Sequence, residues 1–331
     1  MYTSQNIVID GLQFLALQSG CGMSKAMICL DQGGRLSDFV FENIQILAPY
    51  QPASYKDNYA SSVLFPFTNR LKDGEYSFND SKYTLDRNEV DKNNALHGVV
   101  YNKKFTCIHS TLTSESASVS LQYKDDGTAK GFPFKFNLEL TYTLNKSGIN
   151  LSVNVFNEDE KPFPFSLGWH PYFKSEDLDN SAINFKSNTK YLFDQQYIIS
   201  GTMPLDVEMP FHLKDVKLDD SYELETNEIE FATPAYGFKI TSTSKDNFLH
   251  LYTPDQPNVI SIEPMTGLGN SFNNNIGLQM LDPKGRYNVE WNVAIATVEM
   301  KIKANNRMVT ESSSGEGSET RHAIDSKREA F

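Results

Sequence analysis

The chain has 331 residues, a formal net charge of −12 and 42 acidic against 30 basic side chains. That balance repels phosphate backbones and anionic lipid surfaces, and no local cluster of Lys and Arg offsets it, so nucleic acid and membrane partners are not expected. Cys21, Cys29 and Cys107 are widely spaced and form no CxxC pair, which suggests neither a disulfide framework nor a zinc site and fits a reducing compartment.

From the N-terminus, "MYTSQNIVIDGLQFLAL" lacks the basic region and continuous apolar core of an export signal, and no later run approaches the ~20 apolar residues of a membrane span. A soluble, cytoplasmic protein is expected. "SVSLQY" alternates polar and apolar residues. In "FKFNLELTYTL" the alternation is longer: Phe134, Phe136, Leu138, Leu140, Tyr142 and Leu144 share one face, with Lys135, Asn137, Glu139 and Thr141 opposite. This predicts a half-buried strand. "INLSVNVFN" repeats the pattern with Ile149, Leu151, Val153 and Val155, and the intervening "NKSG" has turn chemistry, so the two strands form a predicted hairpin. "YNVEWNV" is a further strand near residue 290. Turn clusters such as "LKDGE", "KDDGT" and "DPKG" recur, and amphipathic helices of three turns are hard to find. The fold class is therefore all-β, a large antiparallel β-sandwich. No linker or solenoid repeat divides the chain, so residues 1–303 form one expected domain, and the polar, charged segment 304–331 is an expected disordered tail.

Signatures of serine hydrolases, metalloproteases and nucleotide-binding proteins are absent: there is no GxSxG, HExxH, GxGxxG or Walker loop. Four segments place polar residues in unusual settings: "FPFTNRL" with Arg70, "NALHGVV" with His97, "SLGWHPYF" with His170 and "VISIEPMTG" with Glu263. His170 and Glu263 each precede a proline, which biases them toward extended backbone at strands or strand ends. Alternation in "NVISIEP" sets Ile260 and Ile262 on one face and Ser261 and Glu263 on the other, aiming the carboxylate at a polar face or cavity. By residue pattern alone, His170 also fits a satisfied core histidine, Glu263 a solvated strand face, Arg70 a surface arginine and His97 a turn.

The ordered set "GGRL" (33–36), "FPFTNRLKDGEYSFNDSKYTL" (65–85), "NALHGVV" (94–100), "GWHPYF" (168–173), "LDDSY" (218–222) and "IEPMTGLGNSFN" (262–273) resembles the aldose 1-epimerase, or galactose mutarotase, family. The match runs from about residue 25 to 300 and departs from many members at Val99 and Phe105. The resemblance implies a β-sandwich of the galactose-mutarotase-like type. It also implies a cofactor-independent isomerase that interconverts the α and β anomers of a hexose by opening and closing the ring. It casts His170 as the acid that protonates the ring oxygen, Glu263 as the base that removes the anomeric hydroxyl proton, and Arg70, His97 and Asp219 as residues that hold the sugar, with Asp219 preferred over its neighbour Asp220. Unperturbed pKa values, about 4.3 for Glu and about 6.5 for His, would leave the carboxylate ionised and the imidazole able to donate near neutral pH. No metal or redox cofactor is needed for such chemistry, and the expected partner is a small-molecule sugar. A glycoside hydrolase or lyase using Glu263 with an aspartate, and a non-catalytic carbohydrate-binding module, are the alternatives.

Overall fold

A computed structural model describes residues 1–50 and 54–297; the 304–331 segment and the proposed boundary at 303 lie outside the described residues. Within them the regular secondary structure is almost wholly antiparallel strand, and the α-helices are the four-residue turns Tyr55–Asn58 and Ser271–Asn274.

The predicted hairpin is Lys135–Asn145 paired with Gly148–Asn157, closing with Asn145 opposite Gly148, as the turn residues require. Phe136, Leu138, Leu140, Tyr142 and Leu144 are all buried, and so are Ile149, Leu151, Val153 and Val155 opposite. The period-2 pattern thus sets which face the hairpin buries. This hairpin sits within a nine-stranded sheet. Thr106–Leu112 and Ser116–Asp126 flank it on one side, and Arg286–Thr297, Tyr236–Ser242, Glu228–Ala232, Ala182–Phe185 and Phe211–His212 follow on the other.

An eight-stranded sheet faces it. Its order is Ile199–Pro204, Thr189–Phe193, Asp219–Glu223, Phe248–Tyr252, Val259–Met265, Gly168–Trp169 and Val63–Leu64, with Tyr172–Lys174 also pairing Val259–Met265. Side chains from both sheets meet in one core. Leu138, Leu151, Val289 and Trp291 enter it from the nine-stranded sheet, and Trp169, Phe173, Leu249, Leu251, Ile260 and Ile262 from the other. At about 25 cal/mol per Å² of apolar area buried, this layer dominates the favourable side of folding. A third, five-stranded sheet spans Thr3–Ile9 to Ile44–Gln45 and feeds Leu15, Leu17, Ile28, Phe39 and Phe41 into the same core. Among the described residues no helix is long and apolar enough to cross a membrane.

The eight-stranded sheet is what positions the site. Its core face is occupied by aliphatic and aromatic residues, so the alternate residues of the same strands, Asp219, Ser221, His250, Ser261 and Glu263, point the other way.

Candidate active site

A cleft of about 670 Å³ opens on that second face, and Arg70, His97, His170, Asp219 and Glu263 all line it. The sequence placed these five residues in separate segments spread over nearly 200 positions, and the fold brings every one of them together. Tyr50, Tyr59, Tyr172, Tyr197 and Tyr252 supply much of the remaining wall. Tyrosines offer both an apolar face and a hydroxyl, the surface that a sugar ring with its polar rim requires.

Glu263 lies within the strand Val259–Met265, and His170 in the short link between Gly168–Trp169 and Tyr172–Lys174. The extended backbone imposed by Pro171 and Pro264 is therefore realised at both positions. Two ladder-like bonds pin His170: its N–H donates to Ser62 O at 3.0 Å, and its carbonyl accepts from Ser61 N at 2.7 Å. Alternation divides the aromatic run around it. Trp169 and Phe173 enter the core, whereas Tyr172 turns to the cleft and stacks on the His170 ring, centroids 4.9 Å apart. The surroundings of His170 are thus half core and half cleft wall.

His170 Nε2 is 3.5 Å from Glu263 Oε1, and both side chains are buried. Ser261 joins them: its Oγ lies 3.0 Å from His170 Nδ1, 3.2 Å from Glu263 Oε1 and 3.2 Å from Pro171 O. Glu263 Oε2 and His97 Nδ1 are buried with no hydrogen-bond partner among the described residues. An unmet acceptor on a buried carboxylate costs free energy, and because Glu263 lines the cleft the carboxylate keeps capacity to accept a hydrogen bond there.

Burial reverses the expected ionisation of this pair. Loss of solvation pushes Glu263 up to about 7, against the opposing His250 charge and the Ser261 hydrogen bond. The same desolvation, helped by the His250 charge, pushes His170 down to about 3. Burial thus disfavours the charged form of both groups, so the 3.5 Å contact is not held together as an ion pair. The unperturbed values used for Glu263 and His170 above apply to exposed groups, and these two are buried, which shifts both toward their neutral forms.

Arg70 and His97 are placed by a two-stranded ladder in which Arg70 pairs with Leu96. Glu89 grips Arg70 in a bidentate contact, Nε to Oε1 at 2.9 Å and to Oε2 at 3.0 Å, with Nη2 at 2.8 Å, and Tyr197 lies under the guanidinium at 4.8 Å. His97 packs its ring against Tyr59 at 4.8 Å and His170 at 4.9 Å. Its N–H donates to Asn69 O, and both residues sit in left-handed backbone, φ 63° and 49°. Such conformations persist only where their surroundings impose them, and they cluster at working sites. The following Gly98 is obligatory: it has φ 77°, and a Cβ there would lie 2.1 Å from Phe65 O. That close approach fixes the turn on which His97 is mounted.

Asp219 faces the cleft, and its Oδ1 lies 3.2 Å from His250 Nε2. Burial alone would raise its pKa, but the His250 hydrogen bond and charge, with Arg70 and His170, hold it below the usual value. Asp220, one step along the strand, turns to the other face of the sheet and pairs with Lys190 at 2.8 Å. Pleating separates the two candidates.

Residues 14–294 match the aldose 1-epimerase family. The chain belongs to that family. Its relatives include the uncharacterized protein YihR of Escherichia coli, 22% identical over 273 residues that cover 79% of this chain and 87% of the relative. Among solved structures, a galactose mutarotase-like protein from Clostridium acetobutylicum superposes with a TM-score of 0.80 at 19% identity, covering 90% of this chain and 99% of the other. The galactose 1-epimerase of Lactobacillus acidophilus superposes with a TM-score of 0.71 at 15% identity, covering 90% and 98%. At these identities the likeness establishes the galactose-mutarotase-like fold.

Three groups of the site escaped the sequence reading: His250, Ser261 as a bonding residue, and Glu89. A signal existed for His250. In "FLHLY", Leu249 and Leu251 alternate with it and enter the core, which sets the imidazole on the same face as Glu263.

Proposed function

We propose that this protein is an aldose 1-epimerase that interconverts the α and β anomers of a hexose by proton transfer through Glu263 and His170. The observation that carries the reading is the partnerless, buried Glu263 Oε2 at the cleft floor, held 3.5 Å from His170 through the other carboxylate oxygen. A carboxylate whose pKa sits near 7 is a base matched to neutral pH.

In this reading Glu263 takes the proton from O1, the C1–O5 bond breaks with its electron pair passing to O5, and His170 gives O5 a proton. A neutral imidazole suits the last step. Its N–H is a weak acid, but the acceptor is a strongly basic alkoxide developing in a buried site, where a neutral histidine serves as electrophile without first becoming an imidazolium. For this step the ring proton sits on Nε2, the nitrogen beside Glu263. Protonated Glu263 then returns its proton to His170 across the 3.5 Å contact, so the net transfer is O1 to O5. The open-chain aldehyde turns about C1–C2, and the reverse sequence closes the other anomer. None of these steps calls for a cofactor.

Arg70, His97 and Asp219 hold sugar hydroxyls: His97 through its free Nδ1, Asp219 through the carboxylate oxygen that His250 leaves open. Free Cys21, Cys29 and Cys107 support a reducing, cytoplasmic setting. The name of the Lactobacillus structure makes galactose the first sugar to assay beside glucose. Polarimetry of freshly dissolved α-galactose and α-glucose, with product analysis of a disaccharide alongside, tests the reading. Faster mutarotation without cleavage is expected; cleavage, or no acceleration on any aldose, overturns it.

A further inference from the structure

His250 stands in the centre of the eight-stranded sheet, where it pairs in register with Ser221 on one neighbouring strand and with Glu263 on the other. Its side chain is 4% exposed, which ordinarily excludes a charge. Yet both ring nitrogens are engaged, Nε2 with Asp219 Oδ1 at 3.2 Å and Nδ1 with Ser221 Oγ at 2.8 Å. The carboxylate can only accept, so Nε2 carries a proton, and Ser221 Oγ can accept a second from Nδ1. With neither nitrogen free to reach a sugar, His250 is not placed to exchange protons with substrate.

We propose that His250, held as an imidazolium by Asp219 and Ser221, is the positioning residue whose fixed positive charge keeps the buried Glu263 carboxylate available as a base. This rests on the epimerase reading and adds to it a role for a residue outside the acid–base pair. The charges around both groups support the assignment. His250 is faced by Asp219 from the Asp219–Glu223 strand, by Glu263 from the Val259–Met265 strand, by His170 from the 168–174 segment and by Arg70 and His97 across the cleft. Glu263 is faced by His250, Ser261, His170, Tyr172, Asp219 and Arg70. Each of the two cations has a carboxylate partner, Arg70 in Glu89 and His250 in Asp219, but His250 stands in register beside Glu263 on the adjoining strand whereas Arg70 belongs to a separate ladder, which makes His250 the closer counter-charge for Glu263. Although burial opposes its protonation, the Asp219 hydrogen bond and the Glu263 and Asp219 charges hold the imidazole above its ordinary value. Asp219 thereby acts twice, anchoring the proton of His250 with one oxygen while the other remains open to the cleft.

Long-range proton–nitrogen NMR of the histidine rings in the full chain tests this without any substrate, so failure of the epimerase reading would be recognised separately, by polarimetry. At pH 7 the His250 ring is expected to show two protonated nitrogens while His97 and His170 show one each. Asp219→Asn, at a residue only partly buried, is expected to return His250 to the neutral form. In His250→Gln the carbon-13 titration of the Glu263 carboxyl is expected to move up by about 1 unit or more, with the acid limb of kcat/KM following it. A merely structural role for His250 would lower activity at every pH alike and leave that midpoint in place. A neutral His250 ring in the folded wild type, a ring unaffected by Asp219→Asn, or an unmoved Glu263 midpoint in folded His250→Gln would overturn the proposal. Should His250→Gln fail to fold, the wild-type and Asp219→Asn spectra decide it.

Discussion

Replacing Glu263 by Gln should make the protein more stable at alkaline pH while disabling it. The fold raises the carboxyl from its ordinary 4.5 to about 7, chiefly by burial. A group whose pKa rises on folding contributes stability that is fully present below its unfolded value and is lost as pH climbs through the folded value. For Glu263 the loss accumulates between about 4.5 and about 7. At 1.36 kcal/mol per unit, the displacement corresponds to about 3 kcal/mol of destabilisation above neutrality. The substituted amide has no proton to lose, so the advantage of Glu263→Gln should be small at pH 5 and about 2.5 kcal/mol greater at pH 8.5. In a chain of this size that is roughly 4 °C in melting temperature. Urea unfolding of both proteins at the two pH values measures it. The comparison between pH values cancels any constant packing effect of the amide, and it cancels His170, which titrates in the opposite sense in both proteins. The same variant should lose about 10²-fold or more in turnover by polarimetry. A stability difference independent of pH would show that burial does not hold Glu263 in its neutral form, and Glu263 would then not be a base near 7.

The pH profile offers a second check: kcat/KM should rise through an apparent pKa near 7 as Glu263 ionises and stay level to about pH 9, because His170 is already neutral there. A fall between pH 7 and 9 in step with titration of the His170 ring, followed by NMR, would instead identify an imidazolium as the donor; one in step with His250 would mark loss of that charge. Ser261→Ala removes the hydroxyl shared by His170 Nδ1 and Glu263 Oε1, so turnover at pH 7 should drop by about 10-fold or more and recover in part at pH 9 as the shifted carboxyl ionises; an unchanged profile would refute it. Arg70→Ala and His97→Ala should raise KM more than they lower kcat, and steady-state kinetics on the preferred sugar separates the two effects.

Strands with strict alternation and one solvated face were legible in the sequence, and Lys135–Asn145 with its hairpin partner appears where the pattern put it. So was the set of cleft residues, because family motifs mark Arg70, His97, His170, Asp219 and Glu263. Two things were not. The strand Phe248–Tyr252 belongs to none of the family motifs, and a lone histidine between leucines reads as core until the neighbouring strands show carboxylates beside it. The inverted pKa values of Glu263 and His170 are equally invisible in one dimension. They arise from burial, and burial is decided by residues such as Tyr172 and Ser261 that only the tertiary structure sets around them.

The row Ser221–His250–Glu263 runs straight across three hydrogen-bonded strands. Because strand side chains alternate, a slip of one residue in either pairing would turn one of these groups into the core and bring an aliphatic residue such as Leu251 or Ile262 to the cleft. A molecule that turns over sugar has therefore paired these strands in their native alignment. Recovered activity during refolding would count correctly aligned sheets, and a refolded fraction with full strand content but no turnover would measure how often the central strands settle one residue out of place.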